Sequence, residues 1–411
     1  MKSYTPIEYL CIDIANCYGL DKDLFEDRIQ WVKDNFHQLD SFVDKADDKY
    51  QYIKAVIALR EVLAGKATGH TVALDAICSG ISLMSAMTGC IKGCKATGLI
   101  DTGLRPDAYS AVTVEMNKIL AKQGLAALEV SRKETKAAMM TKSYGSSNKP
   151  KEIFGEDTPA LQAFEDACHI VAPEAFKLMQ DLIDAWQPYT LEHSFYMPDG
   201  FSVRLKTMET VEKTLRIDEL DDTAITVHIK ENKGSKRGVA LAAHVVHSVD
   251  AYVLRTMQRR CSFDSIQVGQ IADMIQCKLY EASKPTLVDP KLVELVELYK
   301  ATGIADVRII DYITDTSIGA VPQPLLKKLV AILDKMLELG SFDLLTVHDC
   351  FRAHVNHCDA VRYWYKEICA EIADSNILEC IYSQIIGEEV KFTKAMNGIG
   401  KLIRQANYQL S

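Results

Sequence analysis

An α+β chain, mostly helical with a few antiparallel strands, is what the sequence predicts, and three observations carry that reading. Apolar residues recur at helical spacing over most of the length, as in Leu24, Phe25, Ile29, Val32 and Phe36. Short apolar runs such as 71–75 and 342–347 have the length and composition of strands. Pro198-Asp199-Gly200 and Asp221-Asp222 each join two alternating runs, which reads as hairpins and hence as antiparallel pairing. With 411 residues, 48% of them hydrophobic, the chain can build a sizeable core and two or three subdomains.

The elements follow in order. Asp21 is placed to cap the first clear helix, and Ile53, Val56, Ile57 and Leu63 to face inward from the next, which stops at Gly65. Residues 71–75 read as a buried strand delivering Asp75 at its end, followed by a helix over 79–88. Pro106-Asp107 opens a helix with Tyr109, Val112, Met116, Ile119 and Leu120 on one face and Gly124 as its stop. Ser131-Arg132-Lys133-Glu134 is a capping box, so a helix starts at Arg132. Along it Arg132, Lys136, Met140 and Tyr144 step by four and share one side. Strands flank the turn at 198–200, and 206–231 forms a long hairpin. A helix over about 238–257 carries His244, His247 and Asp250, and residues 258–322 mix helical and loop signals. A helix from Pro324 to Leu339 leads to strand 342–347, a tight turn at His348-Asp349 and a return strand near Phe351; 357–411 is largely helical by pattern.

Composition narrows the class. Met1 to Pro6 lacks the apolar core of a signal peptide, and the longest apolar run, 71–87, is broken by Asp75 and Gly80, so no membrane association is expected. The 12 cysteines form no C-x-x-C pair, which points to reduced thiols and a cytoplasmic setting. A formal net charge of −9 argues against an outer surface that binds nucleic acid, yet Arg132, Lys133, Lys136, Lys142 and Lys149 gather in one stretch against Glu134.

A strand-end Asp taken alone more often closes a turn or caps a helix. Two of them, Asp75 and Asp349, at opposite ends of the chain with Arg132, Lys136 and Tyr144 between, follow the order that nucleotidyl transfer from a triphosphate requires. Carboxylates supply oxygens to two Mg²⁺ ions, and cations meet the departing pyrophosphate.

The residues that carry this chemistry resemble a known family. Asp75-x2-Cys78-Ser79-Gly80-Ile81 with Ser85-Ala86-Met87, Arg132-x3-Lys136-x3-Met140-Thr141-x2-Tyr144-Gly145, and His348-Asp349-x-Phe351 are similar to the three catalytic motifs of the single-subunit RNA polymerases of bacteriophages and mitochondria. Asn16-Cys17, Pro198-Asp199-Gly200-Phe201 and Val246-His247-Ser248-x-Asp250 are further matches, in the family's order. The resemblance implies a right-hand polymerase fold with an antiparallel palm sheet. It implies metal binding by Asp75 and Asp349, triphosphate contacts by Arg132 and Lys136, and sensing of the ribose 2′-hydroxyl by Tyr144 and His247. By it, 1–100 and 323–411 form the palm, 101–200 the fingers, and 201–257 a hairpin like the family's specificity loop with the helix after it; 258–322 is an insertion of unknown role.

The match covers what resembles the catalytic, C-terminal part of the family. The resemblance therefore implies a split, two-subunit phage enzyme that makes RNA on a DNA template from ribonucleoside triphosphates in the host cytoplasm. A second polypeptide would supply the N-terminal domain and thumb, alongside a promoter-recruiting or single-stranded-DNA-binding factor. Ala76, Ala137 and Cys350 depart from the family's usual Gly, Arg and Ser. Two other readings are a related DNA polymerase and a non-catalytic polymerase-like scaffold. In the DNA polymerases a Glu stands five residues after the first Asp and excludes the 2′-hydroxyl; here Gly80 takes that position.

Overall fold

Strand β1 (Thr71–Asp75) buries Val72 and Leu74 on one side and turns Thr71, Ala73 and Asp75 to the other. The computed structural model describes residues 1–235, 238–279 and 285–411. Four of the other strands form two separate hairpins, β2 (Glu192–Tyr196) with β3 (Ser202–Lys206) and β4 (Met208–Ile217) with β5 (Thr223–Asn232). The last two, β6 (Leu345–Val347) and β7 (Cys350–His354), join β1 in an antiparallel sheet of order β1-β7-β6. Its register pairs Asp75 with Cys350 and Ala73 with Arg352. The free edge of β1 is covered by the chain's last residues: Ser411 N–H donates to Asp75 O at 3.0 Å, and Ala76 bridges Leu410. Gly98 makes this possible, because its φ is +75° and an added β-carbon would lie 2.7 Å from Tyr408 O.

Helices enclose this sheet, so the mostly helical α+β class stands. The helix Cys358–Asp374 is buried along nearly its whole length, with Trp364 and Ile368 in the core. Arg362, on the same helix, reaches the chain's first residues and donates to Lys2 O, Tyr9 Oη and both Asn407 oxygens. Arg28 is fully buried and does the same for Asn16, Asp21 O, Asp23 O and Ser411 Oγ. Asn16 thus serves as a bracket for Arg28.

Several local expectations are corrected. Asp21 does not cap the helix Phe25–Asp34; Leu24 is the capping position, and Asp21 instead gives its carbonyl to Arg28. On the helix Lys49–Leu63 the inward residues are Tyr52, Ala55, Val56, Ala58 and Leu59, while Ile53, Ile57 and Leu63 lie outside. Small alanines let this helix pack closely, which turned its larger aliphatics to solvent. Strand β6 is shorter than 342–347, because Phe342 and Leu344 are drawn into the core and Phe342 N–H bonds Cys261 O at 2.7 Å. Residues 387–399 are not helical and only Gly400–Ile403 resumes, so the predicted helical tail breaks there.

The stretch 258–322, of which 280–284 lie outside the described residues, has a structural task. It supplies the helices Ser265–Lys278 and Pro290–Thr302 and buttresses the turn at 198–200: Arg308 donates to Asp199 O at 2.8 Å and Lys291 to Gly200 O at 3.2 Å. The Asp199 carboxylate is fully buried and binds Arg255 at 2.7 Å and Arg259 at 3.0 Å, both on the helix Val239–Cys261. Burial pulls the Asp199 carboxyl up, but the two guanidiniums outweigh it and hold it below the usual carboxylate range. A depressed carboxyl adds stability above its unfolded value and loses it as pH falls through the folded one. Asp199→Ala should therefore cost about 3 kcal/mol, the range for breaking a buried ion pair, with the loss shrinking in acid; urea unfolding at pH 7.5 and at pH 3 checks both.

Candidate active site

The two strand-end carboxylates meet because β1 and β7 are neighbours. Asp349 sits in the two-residue turn between β6 and β7, and its carbonyl accepts from Ala76 N–H at 3.2 Å, one residue after Asp75. His348 takes φ +55° in that turn, a conformation that lets Asp349 face the cleft next to the end of β1. The outward face of the sheet continues along β7 through Cys350 and Arg352.

These residues floor a cleft of about 920 Å³. Arg132, Lys136, Met140 and Tyr144 line one wall together, as their four-residue spacing predicts, and His247 and Asp250 line another. The capping box at Ser131 and Glu134 is present and fixes where the Arg132–Lys142 helix begins. All seven residues picked from sequence, Asp75, Gly80, Arg132, Lys136, Tyr144, His247 and Asp349, line this single cleft.

Burial in the cleft, then the charge of Asp349, pushes the Asp75 carboxyl up to about 6, although its surface is open to the cleft water. Arg132 is tied to Asp107 at 2.6 Å, and Lys142 and Lys149 are paired with Glu165 and Glu152. The basic stretch is therefore largely compensated, and Lys136 carries the exposed charge of the wall, without an ion pair among the described residues. Tyr144 and His247 pack with ring centroids 4.3 Å apart. Partial burial and then His244 lower His247 below its ordinary value, which favours the neutral imidazole. A β-carbon added at Gly80 would lie 3.5 Å from Tyr144 Cζ, its hydroxyl oxygen and Val246 Cγ1.

Sequence reasoning missed other residues of the cleft. Arg105 lines it, donates to Ser411 Oγ and is lowered by burial. Tyr109, read as a core aromatic, lies under both cations, with Arg132 Cζ and Lys136 Nζ each 5.7 Å from its ring centroid. The Pro106-Asp107 helix start was a signal for Asp107 alone. Arg352 had none, since its role depends on strand pairing.

An Mg²⁺ ion fits the donor chemistry: two carboxylates crowded at one end of a sheet, hard oxygen donors whose mutual repulsion a cation relieves. Among the described residues no three His, Cys, Asp or Glu groups converge as a closed metal cage.

A cleft with paired carboxylates, a cation wall and an aromatic-imidazole contact is the kind found where nucleotides are transferred, and the comparisons fall in that class. Residues 3–154 match the model of the DNA-dependent RNA polymerase family, a segment that includes Asp75, Gly80, Arg132, Lys136 and Tyr144. Over 333 residues the chain is 27% identical to the mitochondrial DNA-directed RNA polymerase of Schizosaccharomyces pombe, covering 65% of this chain and 28% of that protein. Over 322 residues it is 27% identical to the DNA-directed RNA polymerase of Pseudomonas phage phiKMV, covering 64% of this chain and 39% of that one. The chain thus spans well under half the length of either relative. No described helix is long and apolar enough to cross a membrane.

Proposed function

We propose that this chain is the catalytic part of a DNA-directed RNA polymerase that joins ribonucleotides by two-metal nucleotidyl transfer. The observation that carries it is the placement of Asp75, at the end of β1, beside Asp349, in the turn leading into its neighbour β7, at the floor of the cleft that Arg132, Lys136, Tyr144 and His247 wall. In this reading the fold is of the right-hand type. The sheet joining β1 to β6 and β7 is the palm (1–100 and 323–411), 101–200 are the fingers, and the β4–β5 hairpin stands in the place of a specificity loop. The tip of that hairpin carries Asp218, Glu219, Asp221 and Asp222, which disfavours close approach to DNA phosphates.

Asp75 and Asp349 would hold Mg²⁺, which lowers the pKa of the attacking 3′-hydroxyl and neutralises the leaving pyrophosphate. Lys136 meets the triphosphate, Arg132 is held in place by Asp107, and Tyr109 supports both cations. Tyr144 and His247 read the sugar. With Gly80 in place of a larger side chain, the 2′-hydroxyl has room beside Tyr144, which favours ribonucleotides and RNA over the DNA-polymerase reading. We further propose that template DNA and the growing RNA are held by more surface than this cleft offers. A second polypeptide in a heterodimer supplies it in this proposal, in the cytoplasm of a bacterial host.

The test is extension of an RNA primer on a single-stranded DNA template with Mg²⁺ and ribonucleotides, by the chain alone and with any polypeptide that copurifies. Extension with the partner present is expected; none under either condition sinks the proposal and favours a non-catalytic scaffold. Within an active enzyme, Tyr144→Phe should relax discrimination against deoxynucleotides about 5–10-fold, the worth of one polar contact to the 2′-hydroxyl. An unchanged ratio in competition assays would remove Tyr144 from that role.

A further inference from the structure

Arg352 takes no part in the reaction as set out above, yet it stands on the sheet face that carries Asp75. Residues opposite one another on neighbouring strands point to the same side, so the register sorts that face into rows. Asp75, Cys350 and Val347 make one row, and Ala73, Arg352 and Leu345 make the next. Two residues of strand span about 7 Å, which sets the distance between the rows. Arg352 and the small Ala73 both line the cleft, and Leu345 and Val347 are largely exposed, so the second row is open to a ligand.

The other cations of the cleft are mostly engaged. Asp107 holds Arg132, Asp21 holds Lys22, and Arg105 donates to Ser411 Oγ and Pro106 O. Lys136 is exposed, but it belongs to the opposite end of the proposed reaction, where the pyrophosphate leaves. Arg352 is half-buried on its strand and has no ion pair among the described residues. A guanidinium so placed is suited to an anion from outside the chain, and its planar fork matches a phosphate with two parallel hydrogen bonds.

Which phosphate follows from the layout. In the proposed reaction the incoming triphosphate meets Lys136, and the attacking 3′-hydroxyl lies at Asp75 and Asp349. The nucleotide that supplies this hydroxyl then lies over the sheet. Its 5′-phosphate is one ribose away from its 3′-oxygen, a separation comparable to that of the two rows.

We infer that Arg352 binds the 5′-phosphate of the nucleotide that supplies the 3′-hydroxyl, including the first nucleotide of a new RNA. The inference rests on the proposed function and adds to it a site for the priming nucleotide. A nucleoside lacks that phosphate and gains nothing from Arg352, so the first nucleotide is selected by its phosphate as well as by its base.

The experiment is the joining of ATP to guanosine or to GMP on a DNA template with cytosine and then thymine at the start, with Mg²⁺ and the copurified partner. The ratio of kcat/KM for GMP and guanosine is the readout. Wild type should favour GMP about 10-fold, the lower end for a hydrogen bond to a charged group. Arg352→Gln should bring the ratio close to one by lowering the use of GMP alone. Arg352→Lys, which keeps the charge without the fork, should retain part of the preference. Lys136→Ala should slow both reactions and leave the ratio as it was. An enzyme that extends an RNA primer yet takes GMP no better than guanosine overturns the inference while the polymerase reading stands, and so does an Arg352→Gln ratio equal to that of wild type. A wild-type enzyme that extends no primer strikes the polymerase reading itself. If Arg352→Gln fails to fold, the comparison of GMP with guanosine in wild type still decides, and the preference for GMP should shrink as salt rises.

Discussion

Asp349→Asn should reduce elongation at least about 10³-fold while leaving the chain folded, since the variant keeps the shape of the turn but removes one of the two charges that would hold the metal in the proposed reaction. Single-turnover extension measures the first part and circular dichroism the second. A second signature follows from the pairing with Asp75. Burial and then Asp349 raise the Asp75 carboxyl to about 6, so in metal-free protein the ionised form is disfavoured by the fold. With a raised acid the sign runs opposite to that of Asp199: the metal-free protein gains stability as pH falls through about 6 toward the ordinary carboxylate range. Asp349→Asn removes one cause of the shift, so thermal unfolding in EDTA should show a smaller gain between pH 7.5 and pH 5. Elongation within tenfold of wild type would take Asp349 out of the metal site.

Lys136→Ala should lower the incorporation rate about 10²-fold, with a smaller effect on overall stability. The geometry separates it from Arg132, whose guanidinium is engaged by Asp107 at 2.6 Å and by Ser110. Lys136 has an exposed ammonium facing the cleft, available for a developing charge on the pyrophosphate. Pre-steady-state incorporation at saturating nucleotide checks it. A loss confined to KM would assign Lys136 to binding the ground state alone.

Local chemistry was legible in the sequence wherever a few neighbouring residues determine it. The capping box at Ser131 and Glu134, the four-residue steps from Arg132 to Tyr144 and the Pro198-Asp199-Gly200 turn are each set within one or two turns of chain. Faces that depend on what packs against them were not. The helix Lys49–Leu63 carries aliphatic residues on both sides, and only its close approach through Ala55 and Ala58 decides that Ile57 stays outside. Asp75 and Asp349 were identified as a pair from their strand-end settings and the cations between them, a reading the resemblance then strengthened, but Arg105, Tyr109 and Arg352 join them only through a register and a helix crossing that no single segment encodes. The match at Pro198-Asp199-Gly200 also acquires a physical reason, because Asp199 anchors the helix that carries His247 and Asp250.

The pairing of β1 with β7 has a consequence during synthesis. β1 is made well before its partner strand, since Asp75 pairs with Cys350 far along the chain. Until then β1 lacks its β7 partner, and Asp75 lacks the Asp349 carboxylate beside it. In the proposed polymerase the paired carboxylates thus come together only after both strands have been made, and a chain terminated before β7 lacks the pair. Such long-range closure is slow and leaves strand edges open to wrong partners, so the yield of active protein should depend on translation speed and on chaperones more than the stability of the finished fold would suggest.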